Sequence, residues 1–367
     1  MKICFYNVTA AIHYGGLETY CWEAGRALAQ RGHKVTIVAG EGGKARHNEA
    51  TLIEFPFTDR SRFPNWGTRF RKLMERVSFA RHAASHLINS DYDAVIINKP
   101  FDFLALWYAK RRGMKAQTIF RSGGTDFFRG DTFFSNAIDH WVSTSRYNAQ
   151  QIEQRYHHAI NIIHNGVDTT AFAPGPRTPA IRASWGIPEN APLVVSVGRL
   201  IGWKGIHIII EALSHIPSAH YAIIGDGAEK DRLQAIVTKH GMTDRIHFLG
   251  ALAHELLPQT LREADIFVQP SIGEEAFGIS VVEAMACGLP VLASRNGGMV
   301  EIVLDHETGR LLPPGDVPAW QEAITGLLSH PATRSHMGQQ ARQRAEAEFT
   351  WAANARKIEQ LLLERKN

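Results

Sequence analysis

The chain has 367 residues, 44% of them apolar and 21% charged, with a formal net charge of +4 at pH 7; that length favours two domains and that composition supports a real core. Its three cysteines, Cys4, Cys21 and Cys287, have neither metal-ligand spacing nor the numbers for a disulfide framework, which points to a reducing compartment. There is no apolar run of about 18 residues, and KICFYNV at the start lacks a long apolar h-region, so a transmembrane helix and a signal peptide are both unexpected and a cytoplasmic location is expected.

The first strand is expected over Lys2–Asn7. A glycine loop, Thr9 to Glu18 with Gly15-Gly16 inside it, leads into an amphipathic segment from Glu18 to Arg31, and Gly32-His33 turns into a strand over Lys34–Ala39. Arg60 to Arg81 reads as a basic amphipathic helix. At 3.6 residues per turn, Trp66, Phe70, Leu73, Met74 and Val77 share one face, and Arg62, Arg69, Lys72 and Arg76 share an adjacent stripe. Such a helix suits either a core-facing surface position or an anionic membrane surface, which would make the protein peripheral on a membrane's inner face. Further strands are expected over Ala94–Asn98, Gln117–Phe120, Trp141–Ser143 and Ile160–His164. The pair Asp91-Tyr-Asp93 reads as a solvated strand entrance, because no third acidic group lies near it. Asn165-Gly166 reads as a hinge turn.

Three prolines and a glycine within Phe172–Pro179 make a linker, after which a second α/β series begins. Its strands are expected over Leu193–Val197, His220–Gly225, Ile246–Leu249, Ile266–Val268 and Pro290–Ala293, with helices clearest over Gly205–Leu213, Glu229–His240 and Gly278–Cys287. Alternation of this kind predicts parallel sheets covered by helices on both faces, and ligands of such sheets sit at the carboxyl ends of the strands. The two series differ in charge. Residues 1–165 hold 22 Lys and Arg against 14 Asp and Glu, and the rest hold 18 against 22, so an anionic partner would favour the first half. No recognised nucleic-acid-binding module is visible, and no nucleic acid partner is expected.

The chemistry concentrates after the second-series strands. Arg199 and Lys204 lie in the loop that follows Leu193–Val197, where two cations can neutralise a pyrophosphate and stabilise charge growing on a leaving group. Gly273-Glu-Glu-Ala-Phe-Gly278 precedes a helix start, which favours an anionic diphosphate, and its Glu275, with Glu283 one helical turn in, can accept hydrogen bonds from sugar hydroxyls. Gly225-Asp226-Gly227 lacks the third glycine of a dinucleotide fingerprint and reads as a tight turn. In the first series, Arg121 and Asp126 follow a strand and could reach a polar substrate or form an internal ion pair. No cluster has metal spacing, so metal independence is expected.

Seven segments in order, VGRLIGWKG, IIGDGAE, FLGAL, ADIFVQPS, the Glu275–Glu283 stretch, GGMVEIV and ETGRLLPPGD, resemble the retaining glycosyltransferases of family 4. The resemblance implies the GT-B architecture: an acceptor-side Rossmann-like domain over 1–170, a donor-binding domain over 171–348, and a final helix over 349–367 that crosses back to the first domain. It implies that Arg199 and Lys204 bind the diphosphate of a nucleotide-sugar donor and that Glu275 holds the sugar. Backbone N–H groups of Phe277, Gly278 and Ile279 would contact the distal phosphate or sugar, Glu283 the ribose, and Gly15-Gly16 would line the opposite wall. The implied activity is metal-free, retaining transfer of a hexose to a glycan or glycolipid, as in bacterial polysaccharide or lipopolysaccharide assembly. The segment Arg121-Ser-Gly-Gly-Thr-Asp126 departs from the family, many of whose members carry a histidine beside the sugar where Arg121 stands. That departure keeps open a catalytically silent nucleotide-sugar scaffold as an alternative, and the two-domain architecture also fits a sugar-nucleotide epimerase.

Overall fold

The computed structural model describes residues 1–12, 15–43, 45 and 47–364. The chain forms two compact units, Met1–Gly166 together with the segment from Trp351 on, and Val167–Thr350. Each is built on one parallel sheet. The first contains β1 (Lys2–Tyr6), β2 (Lys34–Gly40), β3 (Thr51–Phe55), β4 (Ala94–Ile97), β5 (Gln117–Ser122), β6 (His140–Ser143) and β7 (Asn161–Ile162), in the order β3-β2-β1-β4-β5-β6-β7. The second contains β8 (Leu193–Val197), β9 (His220–Ile224), β10 (Ile246–Gly250), β11 (Ile266–Gln269), β12 (Val291–Ser294) and β13 (Gly309–Leu312), in the order β10-β9-β8-β11-β12-β13.

Central strands such as AVII in β4 and LVVSV in β8 are almost wholly buried, as parallel strands covered by helices on both faces must be. In both sheets the order reverses beside the first strand, between β1 and β4 and between β8 and β11. A crevice opens at such a switch point because the two connecting loops leave toward opposite faces. In the second unit the two loops are those carrying Lys204 and Glu275.

The unit boundary lies earlier than the proline-rich segment suggests. Val167 is buried and bridges Thr350, and Phe172 belongs to the core of the second unit. The crossing therefore falls at Gly166–Val167, and Phe172–Pro179 is part of the second unit rather than a linker. The last helix, Trp351–Leu363, packs on the first-unit helix Gly16–Gln30. Tyr20 and Trp351 have ring centroids 6.2 Å apart, and Glu359 pairs with Arg31 and with His33, the latter at 3.2 Å.

The basic segment departs from its expected form. A 3₁₀ turn covers Arg60–Arg62, and the α-helix starts only at Thr68, after Gly67 at φ 101°, and runs to Asn89. Pro64 and Gly67 break the stretch between the two. The cationic stripe is also not a free surface. Arg76 is buried against Asp102 at 2.8 Å, and Lys72 pairs with Asp126 at 2.9 Å. Arg62 and Arg69 remain exposed, beside Trp66 at 75% exposure. No helix among the described residues is long and apolar enough to cross a membrane.

Candidate active site

The loop after β8 is stitched to the loop after β11. The carbonyl of Trp203 accepts the N–H groups of Ile272 and Gly273 at 2.8 and 3.1 Å. Gly205 sits at φ 70°, and a Cβ there would fall 2.0 Å from the Pro270 carbonyl oxygen, so only glycine lets the two loops approach this closely. The result is direct contact between two charged side chains 71 positions apart: Lys204 Nζ donates to Glu275 Oε2 at 2.6 Å. The same oxygen accepts from Gln269 Nε2 at 3.2 Å and Ser271 Oγ at 3.5 Å.

The loop bearing Glu275 is held from a third side. Gly298 N–H donates to the Glu275 carbonyl at 2.7 Å, and Asn296 Nδ2 donates to the carbonyls of Ser271 and Gly273 at 3.0 and 3.2 Å. A Cβ on Gly297 would lie 2.3 Å from the Glu275 carbonyl oxygen, so a glycine is required there as well. The backbone on either side of Glu275 is thus fixed independently of its side chain, and the carboxylate is presented by a rigid frame.

Gly278, in a left-handed conformation, opens the helix Ile279–Ala286. The first N–H groups of a helix lack intrahelical acceptors and carry the positive end of its dipole. Phe277 turns its ring into the core against Phe349, with centroids 5.9 Å apart, which leaves its backbone as the part able to meet a ligand. Glu283 is buried one turn along, and its Oε1 lies 2.6 Å from His254 Nε2. Arg199 is exposed in the β8 loop and forms no ion pair among the described residues. The arrangement offers two cations and a helix start for a diphosphate, with two anchored carboxylates for hydroxyl groups.

Gly15, Gly16, Arg121 and Asp126 belong to the first unit. Gly15 and Gly16 are exposed at the start of their helix. Arg121 and Asp126 do not pair with each other. Arg121 is buried, stacked at 3.9 Å over the Tyr20 ring and hydrogen-bonded to Asn165. Asp126 is shared by Lys99 at 2.6 Å and Lys72 at 2.9 Å. Both are therefore structural in part: Arg121 is sunk beneath the surface rather than lying across it, and Asp126 has two ammonium partners already. Asp91 and Asp93 are held by Lys2, through its side chain and its backbone N–H respectively. No group of three or more possible metal-ligating side chains occurs among the described residues.

Burial pushes the Asp126 carboxyl up, but Lys99 and Lys72 override it and hold the pKa down at about 2, against an ordinary 3.8. A depressed carboxylate stabilises the fold above its unfolded-state pKa and loses that contribution as pH falls through its folded-state value. Stability should therefore fall between pH 4 and pH 2, and Asp126→Asn should flatten that fall in denaturant titrations at successive pH values. An unchanged pH profile in Asp126→Asn would contradict the assignment.

Sequence reasoning missed Gln269, Ser271, Asn296 and His254. Period-two alternation from β11 places 269 and 271 on one face beside Glu275, and that signal was available. His254 opens a 3₁₀ turn, His254–Leu256, 29 residues before Glu283, and no spacing rule connects them.

The family model for glycosyl transferases group 1 matches residues 177–344, and that for Glycosyltransferase Family 4 matches residues 14–171. The chain is 32% identical over 240 residues to a GDP-mannose-dependent alpha-(1-6)-phosphatidylinositol monomannoside mannosyltransferase of Mycolicibacterium smegmatis, covering 62% of this chain and 63% of that protein. It thus spans less than two-thirds of that relative's length. Among solved structures, sucrose-phosphate synthase from Thermosynechococcus elongatus superposes with a TM-score of 0.84 at 25% identity, covering 98% of each chain. The Anabaena protein HepE, solved with UDP and glucose, superposes with a TM-score of 0.83 at 21% identity over 100% of each chain, a likeness of fold.

Proposed function

This chain belongs to the group 1, family 4 glycosyltransferases, and we propose that it moves a hexose, with retention, from a nucleoside diphosphate sugar to a hydroxyl of a glycan or glycolipid. The observation that carries this reading is the Lys204–Glu275 contact at the switch point of the second sheet. Lys204 and Arg199 neutralise the diphosphate, and their pull strengthens as the glycosidic bond to the leaving group breaks. The helix start at Gly278 adds backbone N–H groups and dipole charge at the same phosphates. Glu275 accepts from sugar hydroxyls and fixes the sugar relative to the cations. Glu283, oriented by His254, accepts from the ribose. The leaving phosphate then takes the proton of the attacking hydroxyl, which enters on the face the diphosphate leaves.

Because two cations and a helix start supply the positive charge, no divalent ion is required. Transfer measured in excess chelator should match transfer without it; strict dependence on added Mg²⁺ or Mn²⁺ would contradict the metal-free reading. A glycolipid acceptor draws support from the mannosyltransferase relative, whose name specifies a phosphatidylinositol mannoside. A screen of acceptors with one productive donor tests it: turnover with lipid-linked acceptors supports the glycolipid, and turnover confined to small soluble sugars rejects it.

A further inference from the structure

Arg121 is the penultimate residue of β5 and is 2% exposed. Its guanidinium has one hydrogen-bond acceptor, Asn165 Oδ1, and one aromatic face, Tyr20. Nε is buried without a partner, and no carboxylate pairs with Arg121 among the described residues. The polar side chains bonded beside it are neutral: Asn165, Asn98, whose Nδ2 donates to the Arg121 carbonyl at 3.3 Å, and Ser122, whose hydroxyl is turned to the Gly124 carbonyl. The charged groups beyond this end of the strand, Asp126, Lys99 and Lys72, pair among themselves. Glu18, the acidic residue of the nearby glycine loop, is occupied by Thr9 Oγ1 at 2.7 Å. Burial pulls the guanidinium down to about 10, so it remains charged at neutral pH.

A buried cation without a counter-charge is costly. Elsewhere in this chain the cost is met: Arg76 has Asp102, Arg182 has Glu263 and Asp265, and Lys99 has Asp126. Among the buried cations of the described residues Arg121 is the exception, and it stands at the carboxyl end of a strand, where ligands of such sheets bind. A Cβ on Gly123 would come within 3.0 Å of Nη1 and 3.3 Å of Leu17, so the backbone against the guanidinium leaves no room for a side chain. Its planar fork matches the two oxygens of a carboxylate or phosphate.

We propose that Arg121, with Asn165 beside it, forms an anion-recognition subsite of the first unit, which takes a carboxylate or phosphate group carried by the acceptor. Two sources share this chemistry: a phosphate ester on the acceptor, or an acidic sugar within it. That choice rests on the glycosyltransferase reading; the subsite itself rests on Arg121.

Calorimetric titration of the full chain tests it in two arms. The phosphate arm compares glucose 6-phosphate with glucose, and the carboxylate arm compares methyl glucuronide with methyl glucoside, all at matched ionic strength. In at least one arm the anionic ligand should bind about tenfold tighter than its neutral counterpart, the scale of one charge-assisted hydrogen bond. Arg121→Met should reduce that preference to about twofold or less. Asn165→Asp gives the guanidinium an internal carboxylate, so it should raise the melting temperature and abolish the preference as well, which keeps the test valid if Arg121→Met fails to fold. Equal binding of charged and neutral ligands in both arms, or an undiminished preference in Asn165→Asp, would overturn the proposal. Failure of every nucleoside diphosphate to bind would sink the glycosyltransferase reading, while the two arms still decide the subsite.

Discussion

Glu275→Ala is expected to lower glycosyl transfer by about two to three orders of magnitude, the scale of losing one preorganised charged group from a transition-state site. Two effects combine. The sugar loses its carboxylate acceptor, and Lys204, Gln269 and Ser271 lose the oxygen on which all three converge. An unanchored lysine ammonium moves over a wider range, and a small misplacement of a reacting group is expensive. The fold should survive, because the loop is held through backbone atoms by Gly298 and Asn296 rather than by the carboxylate. Glu275→Gln separates shape from charge: it keeps an oxygen for a sugar hydroxyl but no longer balances Lys204, and its rate should lie between those of the wild type and Glu275→Ala. Wild-type turnover in Glu275→Ala would remove Glu275 from the site.

The largest expected effect on stability lies at the other end of the same strands. Arg182 is fully buried and donates to the carbonyls of Glu189 and Ala191 at 2.7 and 2.8 Å and to that of Glu263, while Nε faces Glu263 Oε2 at 3.5 Å. Asp265, 3.8 Å away, accepts the Leu193 N–H, and its own N–H donates to the Leu193 carbonyl. Those bonds clamp β8 to β11 at the amino ends of the two strands whose carboxyl ends present Lys204 and Glu275. Removing Arg182 leaves buried carboxylate charge and three carbonyls uncompensated. Arg182→Met should therefore cost about 3–5 kcal/mol, the range for breaking one side of a buried ion pair, measured by urea unfolding followed through Trp185. Arg182→Lys should recover little, since an ammonium cannot span the same acceptors. A loss under about 1 kcal/mol, the scale of a surface pair, would show that the clamp is dispensable.

Much of this arrangement was legible in the sequence because parallel sheets write themselves as apolar runs followed by glycine-containing loops. The strands that escaped notice, β3 and β13, are different in kind. Thr51–Phe55 is an edge strand with no fully buried residue, and Gly309–Leu312 is a four-residue edge. Neither carries the continuous apolar signal of a central strand. In the second unit, Arg199, Lys204, Glu275 and Glu283 stood out by position after strands, yet the Lys204–Glu275 contact depends on two loops meeting, and no local pattern encodes that distance. In the first unit the residue types were visible but their depth was not. Arg121 reads as a substrate contact or an ion-pair partner of Asp126, and Lys72 as part of a basic stripe. Burial by the next layer of chain, which sequence periodicity does not report, made one an unpaired interior charge and the other half of a two-lysine clamp on Asp126. The helix start was misplaced by the same limit, since a helical wheel drawn from Arg60 ignores the break that Pro64 and Gly67 impose.

The most direct test of the donor site is calorimetric titration of the wild type and Lys204→Ala with UDP, GDP and ADP in excess chelator. At least one nucleoside diphosphate should bind the wild type, and Lys204→Ala should weaken it by about tenfold or more, the scale of a charged hydrogen bond to phosphate. No binding of any of the three, or equal affinity in Lys204→Ala, would contradict a diphosphate site built on the Lys204–Glu275 contact.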